Sequence, residues 1–455
     1  MNFEPGKYIA LDARGNIFRF SGAGGLARIK PNDLNSFESR TKGLTRIEYF
    51  RNPFISVIGV SKGQIISQMD MPPSTFYPLS PMDYVESVRK LVTGQMVYPI
   101  QLSTTLSERC NFRCQICFNI NERQARDPAD ISAESYIKTL EFLLSQNPVL
   151  AQNISTGGSG ESIFHPDFLK LLDYSGDKGI FTFITTNGSR QDLAFAQSAA
   201  RNLSIATISI HGIWDESFRV LENPPVQITL QKILNNVGLI SSLREKYGRQ
   251  KDLLIGVTSI VHPANTGHYI EFVKKLAQSG VDYVNFNPIL PNLNVHGIRF
   301  TDDEIKKTDD EFAGMDEALS GSKIAVRLPS RYYDVEQTFY FDPSARLNPG
   351  VCLVSMLQPG IHPLPGRSKL SKVTACRFYP DVTNNPEFWY TQELGRSTFE
   401  TIWTNDNITR IQDQTRRCKL CSSQRQFLAL DWMLYIKRTV PDSDFLLVFP
   451  ADYSL

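Results

Sequence analysis

Three cysteines within eight residues constrain this chain more than any other feature. Cys110, Cys114 and Cys117 lie in the sequence CNFRCQIC. A short loop with this spacing can turn all three sulfurs onto one inorganic cluster, and three thiolates leave a fourth metal corner open, unlike four-thiolate sites that only store or pass electrons. A substrate or cofactor can bind at an open corner. A zinc knuckle is the alternative, and it would need a fourth Cys or His nearby, but none lies between Cys117 and His165.

Length and composition bound the class of protein. The 455 residues predict about two to four domains, and 41% hydrophobic with 21% charged residues is typical of a soluble globular chain. A net charge of +1 argues against a nucleic-acid groove built from excess Lys and Arg. No apolar run reaches the roughly 18 residues of a membrane span, and Met1–Lys7 does not look like a secretory signal. We therefore expect a cytoplasmic protein without nucleic-acid or membrane partners.

The seven cysteines of the chain fall into two groups. In a cytoplasmic protein they indicate metal ligands or redox groups rather than disulfides. Three belong to the segment 108–117, called the cysteine loop below. The other four are Cys352, Cys376, Cys418 and Cys421. These two groups, of three and four residues, together include every cysteine of the chain.

Residues 1–97 are predicted to form a β-rich N-terminal module. Short extended runs bounded by turn residues lie at 7–12, 16–20, 55–60 and 64–67. The last two runs flank Ser61-Lys62-Gly63, which predicts a β-hairpin with a glycine-containing loop. A helix predicted at about 81–92 leads into the next region.

Residues 98–300 alternate between strands and amphipathic helices, which predicts βα units and a parallel sheet. Six strands are predicted, at 100–106, 153–156, 180–185, 204–210, 253–261 and 281–286. Ser132 is a plausible N-cap for a helix at 131–146. The pattern indicates an α/β fold with a partial (β/α)6 TIM-like barrel, whose polar turns meet at one end of the strands.

The remaining residues predict a connector and a small C-terminal domain. The connector spans 301–345, with a helix beginning near Thr301. The C-terminal domain spans 346–455, carries the second cysteine group and includes an apolar strand-like run at 445–449.

The cysteine loop resembles the signature of the radical SAM superfamily, in which a [4Fe–4S] cluster holds S-adenosylmethionine (SAM) by its amino and carboxylate groups. The resemblance implies that Cys110, Cys114 and Cys117 bind this cluster. In that superfamily one electron cleaves SAM to methionine and a 5′-deoxyadenosyl radical. The superfamily prefers an aromatic residue before the third cysteine, where it touches adenine, and this chain has Ile116 there.

The turn after the second predicted strand is similar to the Gly-Gly-Glu-Pro element of the superfamily, which contacts the SAM amino group. Here the sequence is Ser159-Gly160-Glu161-Ser162, so serines replace the first glycine and the proline. The resemblance implies that Ser159, Gly160 and Glu161 bind SAM. A tight βα turn without a ligand is the alternative.

Two further turns resemble superfamily elements. Thr185-Thr186-Asn187-Gly188 matches a Thr-Asn-Gly turn after the third strand, where Asn187 either contacts SAM or caps the turn. Ser209 is similar to a serine at the end of the fourth strand, whose hydroxyl lies near the SAM ribose or carboxylate. His211 follows, either as a catalytic acid or base on the substrate side or as a buried, hydrogen-bonded histidine.

The second cysteine group resembles a SPASM/twitch auxiliary-cluster domain. Leu394-Gly395 and the run 399–403 also look like that family, whereas Ser371 replaces a glycine expected five residues before Cys376. The resemblance implies a second, fully ligated [4Fe–4S] cluster on Cys352, Cys376, Cys418 and Cys421. Four thiolates satisfy zinc equally well, so zinc is the alternative.

The resemblance implies a radical SAM oxidoreductase that takes a hydrogen from a C–H bond and receives electrons from a flavodoxin or ferredoxin. We expect oxidation, cross-linking or fragmentation of a ribosomal peptide, because the N-terminal module offers a sheet edge to an extended chain. Alternatives are a dehydrogenase of a small polyol or amino sugar, a cobalamin-dependent methylase and a non-catalytic iron–sulfur sensor. A peptide epimerase is disfavoured because it needs a spare thiol.

Overall fold

The computed structural model describes most of the chain in segments. These are residues 7–11, 17–20, 26–28, 55–71, 81–117, 128–147, 149–154, 160–190, 192–289, 297–329, 332–333, 347–348, 352–364, 367–374, 393–415 and 424–450. Within these segments, none of the helices is both long and apolar enough to cross a membrane.

A six-stranded antiparallel sheet is built from both ends of the chain. Its strands are β1 (Tyr8–Leu11), β2 (Ile17–Phe20), β3 (Leu26–Arg28), β4 (Ile55–Ser61), β5 (Gln64–Met71) and β15 (Asp444–Pro450). The order is β3-β2-β1-β15-β4-β5, so the C-terminal strand lies between two N-terminal ones. The predicted hairpin is confirmed: Lys62 and Gly63 have φ of 50° and 77°, as a two-residue type I′ turn requires.

A nine-stranded sheet forms the larger part of the structure. Its strands are β6 (Gln101–Thr104), β7 (Ala151–Ile154), β8 (Phe181–Thr186), β9 (Ile205–Ser209), β10 (Leu254–Ile260), β11 (Tyr283–Asn287), β12 (Ala325–Arg327), β13 (Gly360–Leu364) and β14 (Arg367–Thr374). The order is β12-β11-β10-β9-β8-β7-β6-β13-β14, and only β13 and β14 pair antiparallel. Since β12 and β14 are both edges, the described sheet is an open, partial barrel. The predicted α/β class is confirmed.

Helices connect and cover the strands. They are α1 (Pro81–Val92), α2 (Ala133–Gln146), α3 (Phe168–Asp177), α4 (Leu193–Asn202), α5 (Asp215–Glu222), α6 (Leu230–Lys246), α7 (Tyr269–Gln278), α8 (Asp302–Ala313), α9 (Met315–Ala318), α10 (Leu353–Leu357), α11 (Phe399–Ile402), α12 (Asn405–Thr415) and α13 (Gln424–Thr439). Ser132 caps α2 by accepting a hydrogen bond from the Ser135 amide, as predicted. Thr301 and Glu304 form a capping box that begins α8.

Segments outside 98–300 add strands to the barrel sheet. β12 comes from the predicted connector and pairs with β11, whereas β13 and β14 come from the C-terminal region and extend the sheet beyond β6. Trp432 of α13 donates a hydrogen bond to Ser67 of β5, which joins the C-terminal region to the antiparallel sheet. The predicted domain boundaries remain predictions, and the C-terminal region contributes strands to both sheets.

The two faces of the barrel sheet differ in polarity. Thr104 donates a hydrogen bond to Tyr136 of α2 at 3.0 Å, so its side chain lies on the helix-covered outer face. Because side chains alternate along a strand, Ser103 and Thr105 lie on the inner face. Near the N-terminal strand ends the inner face carries an apolar cluster of Phe183, Ile205, Leu254 and Tyr283. Further along the strands most inner positions are polar, with Ile260 as an exception: Ser103, Thr105, Asn153, Thr185, Thr207, Ser209, Thr258, Asn285 and Asn287.

Gly256 is required where the Tyr283 ring crosses β10. A Cβ at Gly256 would lie 2.0 Å from Cζ of Tyr283, whose hydroxyl is 2.7 Å from that of Thr207. We predict that Gly256→Ala lowers the free energy of unfolding by about 1–3 kcal/mol through overpacking, measured by denaturant titration. Gly238→Ala on α6 is the control, because nothing lies within 4 Å of its Cβ, and alanine there should stabilise the helix by up to about 1 kcal/mol. Wild-type stability for Gly256→Ala would contradict the ring position.

Candidate functional site

The cysteine loop begins shortly after β6 ends, at the C-terminal edge of the barrel sheet. At this edge, the segment that leaves β6 is hydrogen-bonded to the segment that leads into α2. The Glu108 amide donates to the Ala129 carbonyl, and the buried Glu108 carboxylate accepts from the Ala129 amide at 3.1 Å. On the adjacent residues, Arg109 and Asp130 form an ion pair of 2.8 Å. The position of the first cysteine is therefore fixed by strand β6 and by the segment leading into α2.

The Gly160-Glu161 turn packs directly on the cysteine loop. The Glu161 amide donates to the Arg109 carbonyl at 2.6 Å. A Cβ on Gly160 would lie 2.1 Å from the Ser107 carbonyl oxygen and 2.5 Å from Cα of Glu108, so only glycine fits. Ser162, which replaces the proline of the superfamily element, accepts a hydrogen bond from the Leu106 amide at 3.1 Å. Ser159 lies outside the described residues.

The turn after β8 is linked to both of these segments. The Asn187 amide donates to Oε2 of Glu161 at 2.7 Å, and the Asn187 side chain donates to Asn111 of the cysteine loop at 2.9 Å. Asn111 in turn donates to the Ser189 hydroxyl at 3.0 Å. Asn187 also accepts from the Ser189 amide, which is the capped-turn arrangement. The ends of β7 and β8, which carry predicted cofactor-binding residues, thus meet the cysteine loop that follows β6.

The end of α5 holds the loop from the other side. The Gln115 amide donates to the Leu221 carbonyl at 2.9 Å, and the Arg113 amide donates to the Asn223 carbonyl at 3.3 Å. These carbonyls are two of the acceptors that a helix C-terminus leaves without intrahelical partners. Phe112 packs edge to face on Phe218 of α5, with 6.2 Å between ring centres.

A buried carboxylate connects Cys114 to the turn after β9. Cys114 Sγ donates to Oε2 of Glu222 at 3.2 Å, and Oε1 of Glu222 accepts from the His211 amide at 2.5 Å. Burial, followed by the negative charge of Glu222, raises the pKa of the Cys114 thiol well above its usual range. Metal ligation requires the thiolate, so metal binding at Cys114 must displace the thiol proton, which is also hydrogen-bonded to Glu222.

The three thiols suit a cluster better than a single ion. Cys110 and Cys117 both interact electrostatically with Cys114, so the sulfurs are neighbours. Among the described residues, no three His, Cys, Asp or Glu side chains are arranged to hold one metal ion. A four-iron cluster does not need such convergence, because each thiolate binds a different iron.

His165 does not complete a zinc site with the cysteine loop. Its Nε2 is 3.0 Å from the Ile131 carbonyl oxygen, and its Nδ1 accepts from the Asp167 amide at 3.1 Å. Both ring nitrogens are therefore used within the fold. The first candidate for a fourth zinc ligand is thus occupied elsewhere.

Ser209 and His211 lie at the end of β9, beside the cysteine loop. Ser209 is a half-buried inner-face residue paired in register with Thr258. Burial lowers the pKa of His211, whose carbonyl accepts from Asn265 at 2.7 Å. Its Nδ1 is buried and has no hydrogen-bond partner within the described segments. A neutral imidazole at this position can exchange a proton with a ligand. This is compatible with the predicted catalytic role of His211, which stays a prediction.

The second cysteine group is described at one position only. Cys352 is half-buried and precedes α10, where its carbonyl accepts from the Ser355 amide and hydroxyl. α10 leads directly into β13 of the barrel sheet. Cys376, Cys418 and Cys421 lie outside the described residues.

Sequence reasoning missed three residues that shape the site: Glu108, Asn111 and Glu222. Asn111 lies within the motif and could have been singled out as a polar residue between cysteines. Glu222 follows no local pattern, because its contact with Cys114 depends on where α5 ends. That end has a signal, since Asn223 adopts the left-handed conformation (φ 40°) typical of a helix C-terminus.

Comparisons with known proteins identify the fold. No protein-family model matches the chain. Crystal structures of SuiB from Streptococcus suis, bound to the precursor peptide SuiA or to S-adenosylmethionine, share the fold with a TM-score of 0.50 at 12% identity, covering 90% of this chain and 89–90% of SuiB. These structures confirm the predicted α/β fold with an open, partial barrel.

One curated relative is similar in sequence over part of its length. It is the tungsten-containing aldehyde ferredoxin oxidoreductase cofactor-modifying protein of Pyrococcus furiosus, 27% identical over 192 residues. The match covers 41% of this chain and 50% of the relative, so the chain spans about half the length of that protein.

Glu161 provides a test of the SAM contact that the resemblance implies. Glu161→Gln keeps an oxygen for the Asn187 amide but removes the charge that the SAM amino group would meet. We predict that SAM binding, measured by equilibrium dialysis, weakens by about 1.5–3 kcal/mol, the value of a charge-assisted hydrogen bond. Asp167→Asn is the control, since Asp167 makes no capping hydrogen bond to α3. Unchanged SAM affinity in Glu161→Gln, with iron content intact, would place the amino group elsewhere.

Proposed function

We propose that this chain, which has the fold of the radical SAM enzymes, cleaves S-adenosylmethionine and oxidatively modifies a peptide. The observation that carries the proposal is the placement of the cysteine loop. Three strand ends and the end of α5 fix this loop at the C-terminal edge of the barrel sheet, where barrel enzymes build their active sites. SuiB, which shares the fold, has been solved with SAM and with a precursor peptide.

The residues of the loop and its neighbours would divide the work of binding. Cys110, Cys114 and Cys117 would hold a [4Fe–4S] cluster, and Glu161 would receive the SAM amino group while its Oε2 accepts from the Asn187 amide. When bound, the cluster and SAM supply a 5′-deoxyadenosyl radical, which removes a hydrogen atom from a C–H bond that acid–base groups cannot ionise. The polar inner face of the barrel would receive the substrate.

The second cysteine group is proposed to hold an auxiliary [4Fe–4S] cluster. Cys352 packs against the main core, and the helix that follows it leads into β13 of the barrel sheet, so this one cysteine of the group lies on a segment anchored to the barrel. Such a cluster would accept the electron that remains on the substrate. With loss of a proton, the net reaction then removes two hydrogens from the substrate, as in a cross-link or an oxidation. A flavodoxin or ferredoxin would supply the first electron.

A peptide is the proposed substrate because the antiparallel sheet offers edges for an extended chain. The described edges are β3 and β5, and β5 is eight residues long with Ile66 40% exposed. An edge strand can pair with a peptide through main-chain hydrogen bonds. The precursor peptide bound by SuiB is consistent with this role.

Iron content tests the proposed pair of clusters. Anaerobically reconstituted protein should carry about eight iron and eight sulfide per chain, the sum of two four-iron clusters. Replacing Cys110, Cys114 and Cys117 together by Ala should leave about four of each, because the second group is untouched. Stoichiometric zinc, with iron near zero after reconstitution, would contradict the proposal.

A further inference from the structure

The inner face of β6, β13 and β14 carries a compact polar patch. In one row, Ser103 is in register with Gly360, and Gly360 with Thr374. A Cβ on Gly360 would lie 2.5 Å from Nε2 of His362 and 2.5 Å from Oγ1 of Thr374, so the imidazole edge lies over this glycine. Glycine at position 360 therefore leaves room for the ring.

The next row toward the cysteine loop contains a cation. His362 is in register with Lys372, and Nδ1 of His362 is 3.4 Å from the Thr105 hydroxyl. We call Thr105, His362 and Lys372 the basic row. His362 is 6% and Lys372 9% exposed, so the lysine charge is largely shielded from water.

Two polar atoms of the patch lack partners. Ser103 Oγ and His362 Nε2 are buried and make no hydrogen bond to any part of the chain that the structure describes. Buried polar groups are normally hydrogen-bonded, and exceptions call for an explanation such as a ligand. Burial, then the charge of Lys372, lowers the pKa of His362 to about 3, so the imidazole is neutral at physiological pH. When Thr105 donates to Nδ1, the neutral ring presents Nε2–H as a donor.

The basic row lies immediately below the cysteine loop. Thr105 precedes Cys110 by five residues on the strand that enters the loop. Three residues before Lys372 on β14, the Lys369 amide donates to the Asp130 carbonyl, and the Asp130 carboxylate pairs with Arg109. A group bound at the basic row therefore lies on the inner face of the barrel sheet, on the side where the chain enters the cysteine loop.

We propose that the basic row binds an anionic oxygen group, a carboxylate or phosphate, of the substrate. Lys372 supplies the charge, and His362 and Ser103 supply hydrogen bonds that the fold does not use. Hydrogen bonds between an ammonium and an anionic oxygen are among the strongest in proteins, and they are stronger still when shielded from water. That the anion belongs to the substrate rests on the proposed function; that the basic row binds an anion does not.

Anion titration of the reconstituted full-length protein tests the basic row. Inorganic phosphate and acetate are the probes, with binding measured by isothermal titration calorimetry. We expect Lys372→Met to weaken binding of the preferred probe by roughly tenfold or more, as loss of a charged hydrogen bond requires. Lys372→Arg, which keeps the charge, should bind within a few-fold of wild type. Lys369→Met is the matched control, because Lys369 lies on the same strand with an exposed side chain and should leave binding unchanged.

The same titrations separate this inference from the proposed function. Equal binding of both probes by Lys372→Met and Lys369→Met, or no binding by wild type, overturns the inference whether or not SAM binds. Competition between SAM and the probe would assign the basic row to the carboxylate of SAM and contradict its assignment to the substrate. Probe binding that depends on Lys372 and persists with SAM bound supports the inference. If such binding is seen in a protein that never binds SAM, the anion site stands and the proposed function fails.

Discussion

The site depends on a close backbone approach between Gly160 and the residues that precede Cys110. A side chain at 160 would enter the backbone of Ser107 and Glu108, so the second strand end can approach the first only with glycine there. The Glu161 amide then reaches the Arg109 carbonyl, and the Glu161 carboxylate reaches Asn187. Three turns from separate βα units thus support one another, and the position of the cysteine loop depends on all three.

The two faces of the barrel sheet have different roles: the outer face contributes to stability and the inner face carries the polar residues of the candidate site. Outer-face residues pack on the helices or bond to them, as Thr104 does to Tyr136. Described inner-face residues are apolar around Tyr283, near the N-terminal strand ends, and mostly polar toward the cysteine loop, with Ile260 as an exception. Burying polar side chains costs free energy unless they find partners. A polar interior below a thiol cluster is therefore better explained by ligand binding than by stability.

Local signals were sufficient for most elements of the fold. The helix Pro81–Val92, the Ser132 cap and the Lys62-Gly63 turn agree with the sequence because each depends on neighbouring residues. The position of β15 between β1 and β4 was not predictable, since its partners are distant in sequence and leave no periodic pattern. For the same reason the sequence did not predict strand β12 within the connector or the contact between Glu222 and Cys114. At the site, the cysteine spacing and glycine turn were readable, whereas the basic row required the register of β13 and β14.

The central claim is that the three thiols of the cysteine loop form a centre that cleaves SAM. The most direct measurement is the release of 5′-deoxyadenosine and methionine from SAM by the dithionite-reduced, reconstituted protein. We expect both products in equal amounts from the wild-type protein and neither from the variant with Ala at 110, 114 and 117. No release by fully iron-loaded wild-type protein, or equal release by the triple variant, would contradict the account.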